Sequence, residues 1–223
     1  MKQNEIIKQK IALALNLYNE KNYKIAKEKF QEIVDIDNSI PLAFFMLGSC
    51  FVRLNDFNNG QKNYEKVLIL NPKHIEAYNS LGIIFKIKKQ YDRAIKYFKK
   101  TTALNSQYFK GHYNLGTILE LLGEYSKAKI SYENVISINP NFPEAHFRLG
   151  TIAMYAARYQ AAKEYFEKTI NYKPDHFEAL NNLGIVLTFL NDHKKASEYF
   201  NRSLKINPNY IDAHANLANS YLK

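Results

Sequence analysis

Residues 75–108 read IEAYNSLGIIFKIKKQYDRAIKYFKKTTALNSQY. Ile75, Tyr78, Leu81, Gly82 and Phe85 recur at spacings of three and four, the mark of an amphipathic helix. Tyr91, Ala94, Ile95, Phe98 and Thr102 give a second helix with its own apolar stripe, and the short turn around Lys88–Gln90 makes the pair antiparallel. Outside this stretch the Leu81-Gly82 pair has copies at Leu47-Gly48, Leu115-Gly116, Leu149-Gly150 and Leu183-Gly184, each 34 residues after the last. Leu13-Ala14 and Leu217-Ala218 fall on the marks before and after the series. Self-similarity at a fixed period of this size means a stacked repeat protein. A uniform array offers a long surface and has no obvious place for a reaction.

The rest of the period fills in around the glycine. Twelve residues on comes a small residue (Ala26, Gly60, Ala94, Ala128, Ala162, Ala196), and four further an aromatic (Phe30, Tyr64, Phe98, Tyr132, Phe166, Phe200). Another aromatic stands between the helices at Tyr23, Phe57, Tyr91, Tyr125 and Tyr159, with His193 as the exception. Pro72, Pro140, Pro174 and Pro208 close most units, with Asn38 and Ser106 at that mark in the other two. These residues resemble the tetratricopeptide repeat, whose unit runs W-x2-L-G-x2-Y, then A-x3-F, then P. The chain has no tryptophan, and Phe44, Tyr78, His112, His146, Leu180 and His214 take its place. The resemblance covers about Ile7 to Lys223 and implies an all-α solenoid of antiparallel helix pairs in a right-handed superhelix. The chain divides into units 7–40, 41–74, 75–108, 109–142, 143–176 and 177–210, then half a unit, 211–223, in one array over 1–223. The half unit reads either as a polar cap carrying Asn216, Asn219 and Ser220, or as an open flank for self-association.

A glycine inside a helix costs about 1 kcal/mol against alanine. The expected offset is close approach of the first helix of each unit to the second. Helix starts are expected at Asp175 with Glu178, Asn209 with Asp212, and Asn141 with Glu144, in capping-box spacing.

The chain has 223 residues, 46% of them hydrophobic, enough for a continuous core. Its one cysteine, Cys50, excludes a disulfide framework and reads as a buried structural thiol in a reducing, cytoplasmic setting. No window is long and apolar enough to span a membrane. Net charge is +10, with Lys86, Lys88, Lys89, Arg93, Lys96, Lys99 and Lys100 concentrated in 75–108. That cluster is either a solvated face or the docking place of an acidic partner. No glycine-rich phosphate loop, metal-spaced Cys/His cluster or nucleophile elbow appears, so no catalytic, metal or cofactor residues are expected. The histidines fall on repeat marks, as structural occupants would.

What the resemblance implies about ligands is a concave groove lined by first helices, at set places around the glycine mark. Those places hold Asn79, Lys110, Tyr113, Asn114, Thr117, Arg148, Thr151, Asn182 and Asn216, with Leu222 at the last copy. Asn114, Asn182 and Asn216 resemble the asparagine ladder by which family members grip an extended peptide, since an amide offers donor and acceptor together. Arg148 reads either as an anchor for a carboxylate or phosphate or as an intrahelical partner of Glu144. The residue set by which family members clamp chaperone C-termini is not present in any three successive units. The function expected is a non-enzymatic scaffold that binds a peptide or partner helix. The alternatives are a non-catalytic arm of a larger enzyme, such as a glycosyltransferase or sulfotransferase, and nucleic-acid binding through Lys86, Lys89, Arg93, Lys96 and Lys100.

Overall fold

The computed structural model describes residues 2–220; Leu222 and the end of the segment 211–223 lie outside them. Among the described residues there are thirteen helices and no strand. First helices are α1 (Lys2–Asn19), α3 (Pro41–Arg53), α5 (Ile75–Ile87), α7 (Phe109–Leu121), α9 (Pro143–Tyr155), α11 (Phe177–Phe189) and α13 (Ile211–Ser220). Second helices are α2 (Tyr23–Ile36), α4 (Phe57–Leu70), α6 (Tyr91–Leu104), α8 (Tyr125–Ile138), α10 (Tyr159–Tyr172) and α12 (His193–Ile206). The opening helix starts at Lys2, ahead of the apolar pattern that begins at Ile7.

The chain forms two compact units, one reaching Gly111 and one starting at His112. In the N-terminal unit each helix from α1 to α6 packs on the next, around Ala14, Phe30, Ile33, Leu47, Leu81 and Phe98. In the C-terminal unit α8 to α13 pack in the same succession, around Phe166, Leu183, Val186 and Phe200. Burying these side chains is the main stabilising term, about 1.5–3 kcal/mol for each large apolar one.

The glycine of each period is a hole for the aromatic that follows it. A Cβ on Gly82 would come 2.5 Å from the Phe98 ring, and on Gly116 2.7 Å from Tyr132. Gly150 faces Phe166 and Gly184 faces Phe200 in the same way, at 2.7 and 2.5 Å, and Gly48 meets Tyr64 at 3.0 Å. The close approach expected of these positions is therefore present in both units.

The turn inside each pair is built one way. A residue with positive φ follows the first helix: Lys21, Asn55, Lys89, Gly123, Ala157 and Asn191. The next N–H then reaches back to a carbonyl five residues earlier, as Asp56 to Phe51 at 2.8 Å, Gln90 to Phe85 at 2.8 Å and Arg158 to Ala153 at 2.9 Å. This satisfies carbonyls that the helix end leaves unpaired.

Helix starts differ from the capping-box expectation. α11 begins at Phe177, so Asp175 stands one residue ahead of the cap, and His176 takes the role: its ring Nδ1 accepts the Ala179 N–H at 3.3 Å. His74 does the same for α5 through Ala77. α9 is preceded by Phe142 without a side-chain cap, because Pro143 at its first position already fixes the backbone. Asn209 gives its N–H to Asn207 and so closes a turn ahead of α13. Imidazole at these marks thus caps two helices, consistent with the repeat-slot reading of the histidines.

Candidate functional site

The C-terminal unit holds a cavity of about 830 Å³ where Arg148, Thr151, Asn182 and Asn216 meet. One end is polar. Asn216 donates from Nδ2 to Asn181 Oδ1 at 3.0 Å, and Asn181 donates in turn to Asn182 Oδ1 at 3.4 Å. Asn181 is 2% exposed. It spends its amide holding the two outer asparagines in register, and all three line the cavity. Glu178, Tyr210 and Asp212 complete this end. The other end is apolar, with Met154, Tyr155, Tyr159 and Phe189. Tyr159 and Phe189 stack face to face, centroids 4.5 Å apart and planes 3° from parallel. Tyr155 and Phe189 remain 77% and 58% exposed, an apolar ledge that a surface does not keep without cost.

Between the ends sits Arg148. Its Nη1 donates to Glu120 Oε1 at 3.3 Å, across from α9 to α7. The intrahelical partner weighed from the sequence, Glu144, lies instead 3.9 Å from Lys173. The other Glu120 oxygen accepts the Tyr132 hydroxyl at 2.6 Å. Burial, and then the Glu120 carboxylate that accepts its hydrogen bond, push the Tyr132 phenol well above the ordinary range. At Arg148 burial works against the charge, but Glu120 and the phenolic oxygens of Tyr113 and Tyr132 outweigh it, and the guanidinium is held above its usual value. The aromatic that fills the hole under Gly116 thereby fixes a carboxylate on the cavity wall, and the carboxylate fixes the arginine.

Of the other sequence-derived groove residues, among those described, only Thr151 lines this cavity. Thr151 and Thr117 donate their hydroxyl protons to the Phe147 and Asn114 carbonyls. Tyr113 packs edge-on to Phe142, and Asn114 is half-buried, both on α7. Asn79, buried, and Lys110, exposed, belong to the N-terminal unit. Glu120, Asn181, Glu178 and the Tyr159–Phe189 ledge are absent from the sequence-derived set. Asn181, three places before its glycine, and Glu120, four after its own, both stand on groove-facing marks of the repeat.

The basic cluster also divides. Lys88 donates to Asn58 and Gln61, both at 2.8 Å, and Lys89 occupies the positive-φ turn position. Lys86 is half-buried. Arg93, Lys96 and Lys100 line a separate cleft. Cys50 is buried and its thiol is pushed up to about 11 by burial, which keeps it protonated and unreactive. Among the described residues no helix is long and apolar enough to cross a membrane, and no group of His, Cys, Asp and Glu is arranged to hold a metal.

Tetratricopeptide repeat models match residues 42–74, 63–96, 109–142 and 142–209. The chain belongs to the tetratricopeptide repeat family. Solved structures share the fold. A structure reported as functional characterisation of Pseudomonas aeruginosa PilF superposes with a TM-score of 0.87 at 18% identity, covering 98% of this chain and 100% of that one. PilW, described as a widely conserved type IV pilus biogenesis factor, gives 0.78 at 19% identity over 94% and 97% of the two chains. YrrB, described as a repeat protein with an unusual peptide-binding site, gives 0.69 at 22% identity over 83% and 96%. None of the curated proteins compared with the chain matches it.

Proposed function

We propose that this chain is a non-catalytic protein-interaction scaffold whose C-terminal unit binds an extended segment of a partner protein. The observation that carries the reading is the set Asn216–Asn181–Asn182 with Arg148 along one cavity. Amides held in register offer alternating donors and acceptors to a peptide backbone, and each such bond is worth about 0.5–1.5 kcal/mol. The Tyr159–Phe189 ledge beside them takes an apolar side chain. Charge favours a cationic neighbour to that side chain: Glu120, Glu178 and Asp212 face the cavity against the one guanidinium of Arg148. The peptide-binding site named for YrrB supports the same use of this fold. The single array of six units and a half, its right-handed superhelix, self-association through 211–223 and a cytoplasmic setting for Cys50 are part of the same proposal.

Calorimetric titration with a peptide library is the test. Arg148→Ala with Asn182→Ala should weaken the selected peptide at least about tenfold, or 1.4 kcal/mol, with the melting temperature nearly kept. Unchanged affinity in the double variant overturns the groove reading.

A further inference from the structure

The N-terminal unit carries a second concave feature, unrelated to the amide groove. A cleft of about 650 Å³ lies along α6, lined by the neighbouring rings of Tyr78 and Tyr97 and by Arg93, Lys96, Lys99 and Lys100. Its walls are fixed. Tyr97 stacks on Phe85 at 5.2 Å, and the Tyr78 hydroxyl donates to the Pro72 carbonyl at 3.2 Å. Arg93 lies over the Phe85 ring at 3.9 Å and donates to Gln90, neither of which cancels its charge. No carboxylate lines the cleft. Among the described residues Lys96, Lys99 and Lys100 form no ion pair.

That arrangement works against the helix itself. Lys96 stands three after Arg93, three before Lys99 and four before Lys100, spacings at which like charges on a helix repel. On three other second helices a lysine has an acidic partner at helical spacing: Lys29 meets Glu32 on α2, Lys129 meets Glu133 on α8 and Lys163 faces Glu167 on α10. Three neighbouring lysines without an ion pair beside an aromatic surface are a local cost, and local costs collect where a ligand repays them.

We propose that this cleft is a docking site for a short acidic protein segment bearing one bulky apolar side chain. The apolar side chain rests against the paired rings of Tyr78 and Tyr97, whose centroids lie 6.1 Å apart, and flanking carboxylates meet Arg93, Lys96, Lys99 and Lys100. Length supports a peptide over a nucleic acid. The four cations span about 10 Å of helix, the reach of roughly three extended residues. Glu65 on α4 is near enough to act on the Tyr97 phenol, so the cations do not continue past that side as the stripe that a sugar-phosphate backbone follows.

The test uses the full chain, a synthetic peptide of Asp and Glu around one Phe, the same peptide with Gln and Asn for its acids, and a thymidine oligonucleotide, each titrated by calorimetry. The acidic peptide should bind the wild type, and Lys96→Glu, Lys99→Glu and Lys100→Glu combined should weaken it by roughly tenfold or more. The milder Lys→Gln triple change should weaken it in the same direction, with circular dichroism unchanged. Arg148→Ala with Asn182→Ala should leave this binding intact, which separates it from the amide groove. Equal binding by the triple variants, equal binding of the uncharged peptide, or preference for the oligonucleotide overturns the proposal.

Discussion

Gly116 shows how much one missing methyl group decides. Alanine there would recover about 1 kcal/mol of helix propensity, yet its Cβ would sit 2.7 Å from the Tyr132 ring, and overpacking a core costs roughly 1–3 kcal/mol. The steric term wins more clearly for larger residues. Gly116→Leu should therefore destabilise the C-terminal unit by at least about 1–3 kcal/mol in denaturant unfolding, whereas an unaltered transition would refute the knob-in-hole account. His146 gives a second single-residue lever. Its Nε2 lies 2.7 Å from the Pro140 carbonyl, so the neutral ring donates there and Nδ1 is left buried without a partner. Burial holds its pKa below the ordinary 6.5. In the unfolded chain the imidazole takes a proton freely near that value. Between the folded and the ordinary pKa the unfolded state binds more protons, so this contribution is whole above 6.5 and declines as the pH falls. His176 adds in the same direction: burial holds its pKa down against the pull of Glu178, and protonating Nδ1 would also remove the lone pair that caps α11. Melting curves across this range should show the loss, and His146→Gln, which keeps a donor for Pro140 and does not titrate, should lessen it.

Helix ends tell more than helix bodies about what sequence reading catches. The apolar stripes of residues 75–108 gave both helices and the turn between them, because burial imposes a period on the side chains. The caps were misread at Asp175 because a Ser/Thr/Asp/Asn rule does not count an imidazole as an acceptor, though His74 and His176 both serve as one. The positive-φ turn position also went unread. Only Gly123, Asn55 and Asn191 are residues that favour it, while Lys21, Lys89 and Ala157 hide it. Ala157 has φ 54 and bears the steric penalty of a Cβ in the left-handed region, about 1–2 kcal/mol. Ala157→Gly should raise stability by up to about 1 kcal/mol after the entropy that glycine adds to the unfolded chain. Gly123→Ala, at φ 77 with nothing within 4 Å of the new Cβ, should lower it through backbone strain alone. Thermal denaturation of the two single variants checks both signs.

On the scale of the whole chain, packing is between successive helices within each compact unit, and stability should be correspondingly local. Amide exchange is the measure: Gly184→Leu should speed exchange in α11 and α12 far more than in α1 to α4, and uniform acceleration would show the chain to be a single cooperative block. The same locality limited what could be read of the site. Repeat register singles out Asn182, Asn216 and Arg148, since each is a fixed step from the small residue that marks its copy, Gly184, Ala218 and Gly150. It did not join Arg148 to Glu120, 28 positions away, or Asn216 to Asn181, 35 away, because partners in neighbouring repeats carry no mark of each other in the pattern. The stacked ring pair at Tyr159 and Phe189 has a practical consequence. The chain contains no tryptophan, so Phe189→Trp would install its sole indole on an exposed shelf, already seated against a flat phenol. Emission from that one chromophore would move to the blue whenever the shelf is covered, and the protein would announce its own occupancy without a label.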